Sequence, residues 1–200
     1  FVGWQGSDIH RRRLACSITR LTFVKRQEMA LQANQLLAEE NRIRFHGRED
    51  RRFTYLMRKK GYPISQGGHT LPLKWGVSAR KARRYALCVD LTYIPEDGGG
   101  SQYSFMEAWD AGAVNVIHRD WLRYRGEMVD DANCLTVQNA QELADLVKLV
   151  GKNSGFREEL KSISKVSTAF LEHEHNPVAI AKRYYEVLAK GINFRRFPRV

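Results

Sequence analysis

Residues 14–39 read LACSITRLTFVKRQEMALQANQLLAE, an apolar run, a short polar break and then an amphipathic stretch. The spacing predicts a strand over 14–21 and a helix over 27–39, with Met29, Ala33, Leu36 and Leu37 sharing one helical face. The same change of period recurs down the chain. Short strands are expected at 42–46, 71–75, 114–118 and 134–137, with a further apolar stretch at 88–94. Helices are expected at 78–85, 103–111, 141–150 and 155–171, and a last one opens at Asn176-Pro177 and stops before Gly191. Strands separated by helices imply a parallel sheet flanked by helices, an α/β, Rossmann-like fold. No internal repeat interrupts the pattern, so the 200 residues read as one domain: a sheet core over 14–150 and closing helices over 151–200.

Composition supports a globular chain, with 43% apolar and 10% aromatic residues. No apolar run approaches the roughly 18 residues that a membrane span needs, and no signal peptide opens the chain. The three cysteines, Cys16, Cys88 and Cys134, are widely spaced and odd in number, and Cys16 and Cys88 lie in apolar runs. They read as reduced, buried thiols of an intracellular protein. The net charge of +11 concentrates in clusters such as Arg11-Arg12-Arg13, Arg51-Arg52, Arg58-Lys59-Lys60, Arg80-Lys81 with Arg83-Arg84, and Arg195-Arg196. Such a field attracts polyanions or anionic substrates, although any single cluster also fits a solvated face.

In open α/β sheets ligands sit beyond the carboxyl ends of the strands. Arg20 and Lys25 fall there, between the first strand and its helix. Arg offers a fork for phosphate oxygens and Lys a point charge, which suits a diphosphate gaining negative charge as it leaves. Taken alone the pair also fits an exposed loop. A second constellation begins at Gly98-Gly99-Gly100 and runs through Ser101, Gln102, Tyr103 and Ser104 into a helix carrying Glu107. Glycines let backbone N–H groups approach a phosphate, and a helix N-terminus adds positive potential. A carboxylate such as Glu107 can accept hydrogen bonds from ribose hydroxyls, though alone it also fits a surface helix.

Order and spacing together resemble the C-terminal, donor-binding domain of retaining GT-B glycosyltransferases. The family carries Arg and Lys five residues apart after its first strand, as in Arg20-Leu21-Thr22-Phe23-Val24-Lys25. It also carries a glycine-rich loop followed by Glu-Ala-x-x-x-Gly and an apolar strand, here Glu107-Ala108-Trp109-Asp110-Ala111-Gly112. The strand end Phe45-His46-Gly47, the turn Trp75-Gly76-Val77-Ser78 and the strand containing Asp90 fall in register between them.

The resemblance implies that Arg20, Lys25, Ser101, Gln102, Tyr103 and Ser104 hold the donor diphosphate. It implies that Glu107 binds the ribose and that Trp75, Gly76, Val77 and Ser78 border the base. The co-substrate would be a nucleotide sugar, UDP-linked by its frequency in the family, with no other cofactor and no metal. A sugar, expected to be a hexose, would pass to an acceptor hydroxyl with retention. One departure concerns the transferred sugar: eight positions before Glu107, where the family has an acidic residue, stands Gly99, with Gly100 beside it and Asp97 close by. The catalytic groups are not identified.

A narrower likeness is to the DNA α-glucosyltransferases of T-even bacteriophages, resting on Trp4 sixteen residues before Arg20 and on the lack of a glycine before that arginine. It implies a DNA acceptor, which the basic charge suits. The acceptor-side N-terminal domain of the family has no counterpart in the sequence, which starts at Phe1, so a longer enzyme is expected.

Other candidates carry less. His173-Glu174-His175 reads as a solvated helix end, His46 as core or rim, Trp109 as packing, and Cys134 lacks a basic neighbour that would activate it. Two rivals remain open: a non-catalytic, basic nucleic-acid-binding module, and a GT-B-fold epimerase. The first does not account for the register of Arg20, Lys25 and Glu107; the second needs proton-transfer groups that are not apparent.

Overall fold

A computed structural model describes residues 13–62, 64, 77–93, 103–123 and 127–189, of which 77–79 and 189 are described by their backbone alone. The predicted strand at 71–75 and the segments Trp75-Gly76 and Asp97 to Gln102 lie outside the described residues.

Five strands form one parallel sheet in the order β2-β1-β3-β4-β5: β1 (Arg13–Ser17), β2 (Arg44–Phe45), β3 (Tyr85–Asp90), β4 (Val114–His118) and β5 (Cys134–Val137). Seven helices accompany them among the described residues: α1 (Gln27–Gln35), α2 (Arg51–Lys59), α3 (Val77–Ala82), α4 (Tyr103–Asp110), α5 (Ala140–Lys152), α6 (Ser154–Glu174) and α7 (Pro177–Ala189). Parallel strands need such crossovers, because a tight turn cannot return the chain to the same end of the sheet.

Two-residue alternation sorts each strand between two cores. Ala15, Leu87, Val89, Val114, Val116, Leu135 and Val137 pack with α1 and α5. Ile117 and Cys134 join Phe105 and Trp109 of α4 and Leu171 of α6, while Cys16 and Cys88 meet Ala108 and Ala113. Both faces are thus covered, and β3 is buried along its whole length. Trp109 is core, as expected, and its indole N–H donates to the Asn133 carbonyl at 3.0 Å.

Several boundaries differ from the sequence reading. β1 ends at Ser17, four residues before the expected end of its strand, because the chain turns away to bridge Leu21 to Glu49. α1 stops at Gln35, and its buried face is Ala30, Leu31, Ala33 and Asn34; Leu36 caps the helix and is exposed. α3 ends at Ala82, so Tyr85 opens a strand instead of closing a helix.

α2 lies in what reads as a merely basic segment. Asp50 caps it by accepting the Phe53 N–H at 2.8 Å, and Phe53, Thr54 and Met57 are buried beneath five exposed or half-exposed basic and aromatic positions. α7 packs chiefly against α6 and exposes Val178, Tyr184, Tyr185 and Leu188.

No helix of the described residues is long and apolar enough to cross a membrane. Cys16, Cys88 and Cys134 are buried and free. Cys16 and Cys88 are neighbours in register; their mutual hydrogen bond and complete burial push the Cys88 thiol well up. Burial and the nearby Asp130 and Asp131 raise Cys134 to about 12, which leaves its thiol protonated and unreactive.

Candidate functional site

The site is set by where the strands end. β1 stops at Ser17, and the next nine residues cross the carboxyl end of the sheet before α1 begins. Three polar side chains hold the start of this loop: Gln27 donates to Ser17 Oγ at 2.8 Å and to Thr19 Oγ1, and the two hydroxyls lie 3.2 Å apart. All three are buried, so their mutual hydrogen bonds replace those lost to water. Gly47, following β2, closes against the same loop. A Cβ there would sit 1.8 Å from the Thr19 carbonyl oxygen, so only glycine fits.

Of the two predicted cations on this loop, Arg20 is exposed and Lys25 is 6% exposed. A lysine withdrawn to that degree must be partnered, and Lys25 does have partners within the fold.

Arg26, next in sequence, carries no role in the sequence reading. It caps α1 in the left-handed region (φ 46°, ψ 33°), where a side chain is strained. Its Nη2 donates to Asp120 at 3.0 Å, and its guanidinium lies 4.7 Å from the centre of the Tyr93 ring. The Tyr93 N–H donates to the Val24 carbonyl at 2.7 Å. The loop after β1 is therefore tied to the chain leaving β3 and to the 3-10 turn Arg119–Arg123 that follows β4.

His118, at the end of β4, sits behind Asp120: its Nδ1 accepts the Asp120 backbone N–H at 3.2 Å. Burial first, then the charge of Arg26, hold His118 below its ordinary pKa, while Asp120 opposes the shift. The Arg26 hydrogen bond holds Asp120 below the ordinary carboxylate value. At neutral pH the cluster is thus an ion pair beside a neutral imidazole.

The second predicted constellation is partly described. Tyr103 and Ser104 form the first turn of α4, with Tyr103 exposed. The Ser104 hydroxyl donates to Asp90 at the end of β3; the same carboxylate accepts from the Thr92 hydroxyl and, at 3.2 Å, from the Thr92 N–H. Asp90 is fully buried, and its hydrogen bonds fix where α4 starts relative to the strand end. Glu107 lies one turn further, half-buried and close enough to bear electrostatically on Cys88. Val77 and Ser78 open α3, which packs against α4. Gly99, Gly100, Ser101, Gln102, Trp75, Gly76 and Asp97 lie outside the described residues.

Because β1 and β3 are paired neighbours, the Arg20/Lys25 loop and the N-terminal turn of α4 emerge side by side at the carboxyl end of the sheet. That end of an α/β sheet is where ligands bind. The fold thus brings together two segments some eighty residues apart in sequence. What the sequence reading missed is part of the support beneath them: Arg26, Asp120 and His118. Gly47 and Asp90 stood out there only as landmarks in register, without the supporting contacts that the fold gives them.

Elsewhere, His46 shares a hydrogen bond with Tyr85 Oη (2.8 Å), part-buried in keeping with the core-or-rim reading. His173 is exposed and pairs with Glu174 at 2.7 Å. Among the described residues no three His, Cys, Asp or Glu side chains gather where a metal could bind.

No family model matches the sequence, and no curated protein matches it. Solved structures do match. The Anabaena HepE structure in complex with UDP-glucose superposes with a TM-score of 0.70 at 13% identity, over 90% of this chain and 49% of that one. The C-terminal domain of the group 1 glycosyl transferase LpcC from Francisella tularensis gives 0.61 at 13% identity, over 83% of this chain and 88% of that domain. The catalytic domain of the cholesterol-α-glucosyltransferase from Helicobacter pylori gives 0.59 at 17%, over 80% and 99%. This chain spans about half the length of HepE. The five-stranded parallel sheet with helices on both faces is the Rossmann-like fold of the C-terminal domain of GT-B glycosyltransferases.

Proposed function

We propose that this chain is the donor-binding half of a glycosyltransferase. It would hold a nucleotide sugar, UDP-linked, at the carboxyl end of its sheet for transfer of a hexose to an acceptor hydroxyl. The observation that carries the proposal is the side-by-side emergence of the Arg20/Lys25 loop and the Glu107 helix from paired strands. HepE, which shares the fold, is a complex with UDP-glucose.

In this reading the diphosphate lies between the loop after β1 and the first turn of α4. Lys25, withdrawn from solvent, acts on it in a poorly screened setting, while Arg20 closes over it from the exposed side. Both charges oppose the negative charge that grows as the sugar–phosphate bond breaks, so they stabilise the transition state more than the bound donor. Glu107 accepts the ribose hydroxyls. Ser104, held by Asp90, keeps its backbone N–H at the helix start for phosphate. The sugar configuration is retained, with the acceptor hydroxyl entering on the leaving-group side, and rate comes from positioning and electrostatics.

The acceptor is presented by a second, N-terminal domain facing this edge; DNA fits the role because a net charge of +11 would neutralise its phosphates.

Calorimetric titration with UDP, GDP and ADP tests the donor reading. Preferential binding of UDP, abolished by Arg20→Ala/Lys25→Ala, is the expected result. Equal affinity for all three nucleotides, or binding that survives the double substitution, would remove the assignment.

A further inference from the structure

The opposite, amino end of the sheet carries a basic concavity unrelated to the donor site. β2 is only two residues long and pairs with Cys16 and Ser17 alone. The first residues of β1 therefore face the segment 40–42 across a hollow of about 410 Å³. Arg13, Arg42 and Arg44 line it, with Tyr85 in its wall and Glu40 as the one acidic member among the described residues.

None of the three arginines is ion-paired with a carboxylate of the described residues; the ion pairs found there belong to other basic side chains. Two are oriented instead by backbone carbonyls. Arg42 Nε donates to Asn34 O at 3.3 Å and Arg44 Nη2 to Glu39 O at 3.4 Å. The segment that presents them is itself fixed, since the Asn34 side chain brackets Ile43 with hydrogen bonds of 3.0 Å and 2.8 Å. Arg13 and Arg44 both act on the buried Tyr85 hydroxyl, which places their charges around the same point.

Three guanidinium groups against one carboxylate leave the hollow with a charge of about +2, and like charges converge on one space at a cost unless an anion occupies it. Guanidinium forks match phosphate oxygens in geometry as well as charge.

We propose that the hollow lined by Arg13, Arg42 and Arg44 is a phosphate-binding site, built from residues other than those assigned to the nucleotide. Phosphate is the shared chemistry of two sources, the backbone of a nucleic acid and a small phosphorylated molecule. The first and last residues of β1 lie about 13 Å apart, which sets Arg13 back from the loop that carries Arg20 and Lys25, whereas Arg44, in register with Cys16, lies nearer to it. An anchored nucleic acid would be gripped away from the transfer site while another part of it reached the opposite edge.

The test uses the full chain with Arg13→Gln, Arg42→Gln and Arg44→Gln combined. A control removes three other exposed charges, Arg51→Gln, Arg52→Gln and Lys59→Gln on α2. Pyrophosphate and a 20-base-pair duplex DNA are titrated at several salt concentrations, each also in the Arg20→Ala/Lys25→Ala background to remove binding at the other edge. If the hollow grips nucleic acid, duplex affinity falls at least tenfold and the log–log salt slope drops by about 2–3, roughly one per lost phosphate contact. Loss of pyrophosphate binding with duplex binding intact assigns the site to small phosphates. Either result leaves UDP affinity unchanged, so it stands or falls separately from the donor reading.

Wild-type chain that binds neither probe, unchanged binding in the triple variant, or an equal loss in the α2 control overturns the proposal. Should the triple variant melt early, Arg44→Gln alone, at an exposed position, is expected to lower the slope by about 1, and an unchanged slope counts against the site.

Discussion

Replacing Gly47 by alanine puts a Cβ 1.8 Å from the Thr19 carbonyl oxygen, 2.6 Å from its carbon and 3.2 Å from the Arg20 nitrogen. Side-chain carbons essentially never approach closer than 3.0 Å, so the two chains must part by more than 1 Å. All three obstacles are backbone atoms, and no rotamer change relieves them. The parting loads the bonds that join the segment after β2 to the loop after β1: His46 N–H to Ser17 O at 2.7 Å and Leu21 N–H to Arg48 O at 3.0 Å. Overpacking costs about 1–3 kcal/mol and each of the two weakened backbone bonds about 1 kcal/mol, giving a destabilisation of about 3–5 kcal/mol.

A domain with about 5–15 kcal/mol to lose remains mostly folded, but the carrier of Arg20 and Lys25 is displaced. Urea unfolding of wild type and Gly47→Ala measures the first effect, and UDP titration of the folded variant the second. An unfolding midpoint matching wild type to within about 0.5 kcal/mol would refute the reasoning. A stability loss with unchanged UDP affinity would separate the glycine from the site.

Three further outcomes follow from the same geometry. If half-buried Glu107 accepts the two ribose hydroxyls, as proposed, Glu107→Ala weakens UDP binding by about 1–3 kcal/mol; calorimetry reads this directly, and unchanged affinity removes the ribose role. Arg26→Gly should unfold within about 1 kcal/mol of wild type. Relief of the left-handed strain, about 1–2 kcal/mol, offsets a partly exposed ion pair worth about 0–1 and a ring contact worth about 0.5–1. Arg26→Ala keeps the strain, loses both contacts and should be clearly less stable in the same urea series.

The third concerns pH. His118 titrates below its ordinary 6.5 in the fold, so the folded state binds fewer protons than the unfolded chain as pH drops. Its contribution to stability is complete above 6.5 and is lost as pH falls through the depressed value. His118→Gln should flatten the stability profile in that window, as read by unfolding at several pH values; an unaltered profile would contradict it.

Local patterns were legible where packing obeys them. The short apolar runs of β1, β4 and β5 are readable because strands covered by helices on both faces are apolar along most of their length, and α5 and α6 each keep one readable apolar stripe. α2 was not legible: Arg51, Arg52, Arg58 and Lys59 surround its three buried positions and swamp a short apolar face. Strand order was not legible either, since β1 lies between β2 and β3 through contacts that sequence spacing does not encode.

The candidate site shows the same division. Arg20, Lys25 and Glu107 stand out because residue type and position after a strand suggest chemistry. Arg26 depends on Asp120, 94 residues away, and Gly47 on the backbone of Thr19; neither partnership exists until the sheet has formed.

The most direct test of the donor reading is a crystal structure of the chain soaked with UDP. The prediction places the diphosphate within hydrogen-bonding distance of Arg20, Lys25 and the first turn of α4, with the ribose hydroxyls on Glu107. A nucleotide seated elsewhere, or none at a saturating concentration, would contradict it.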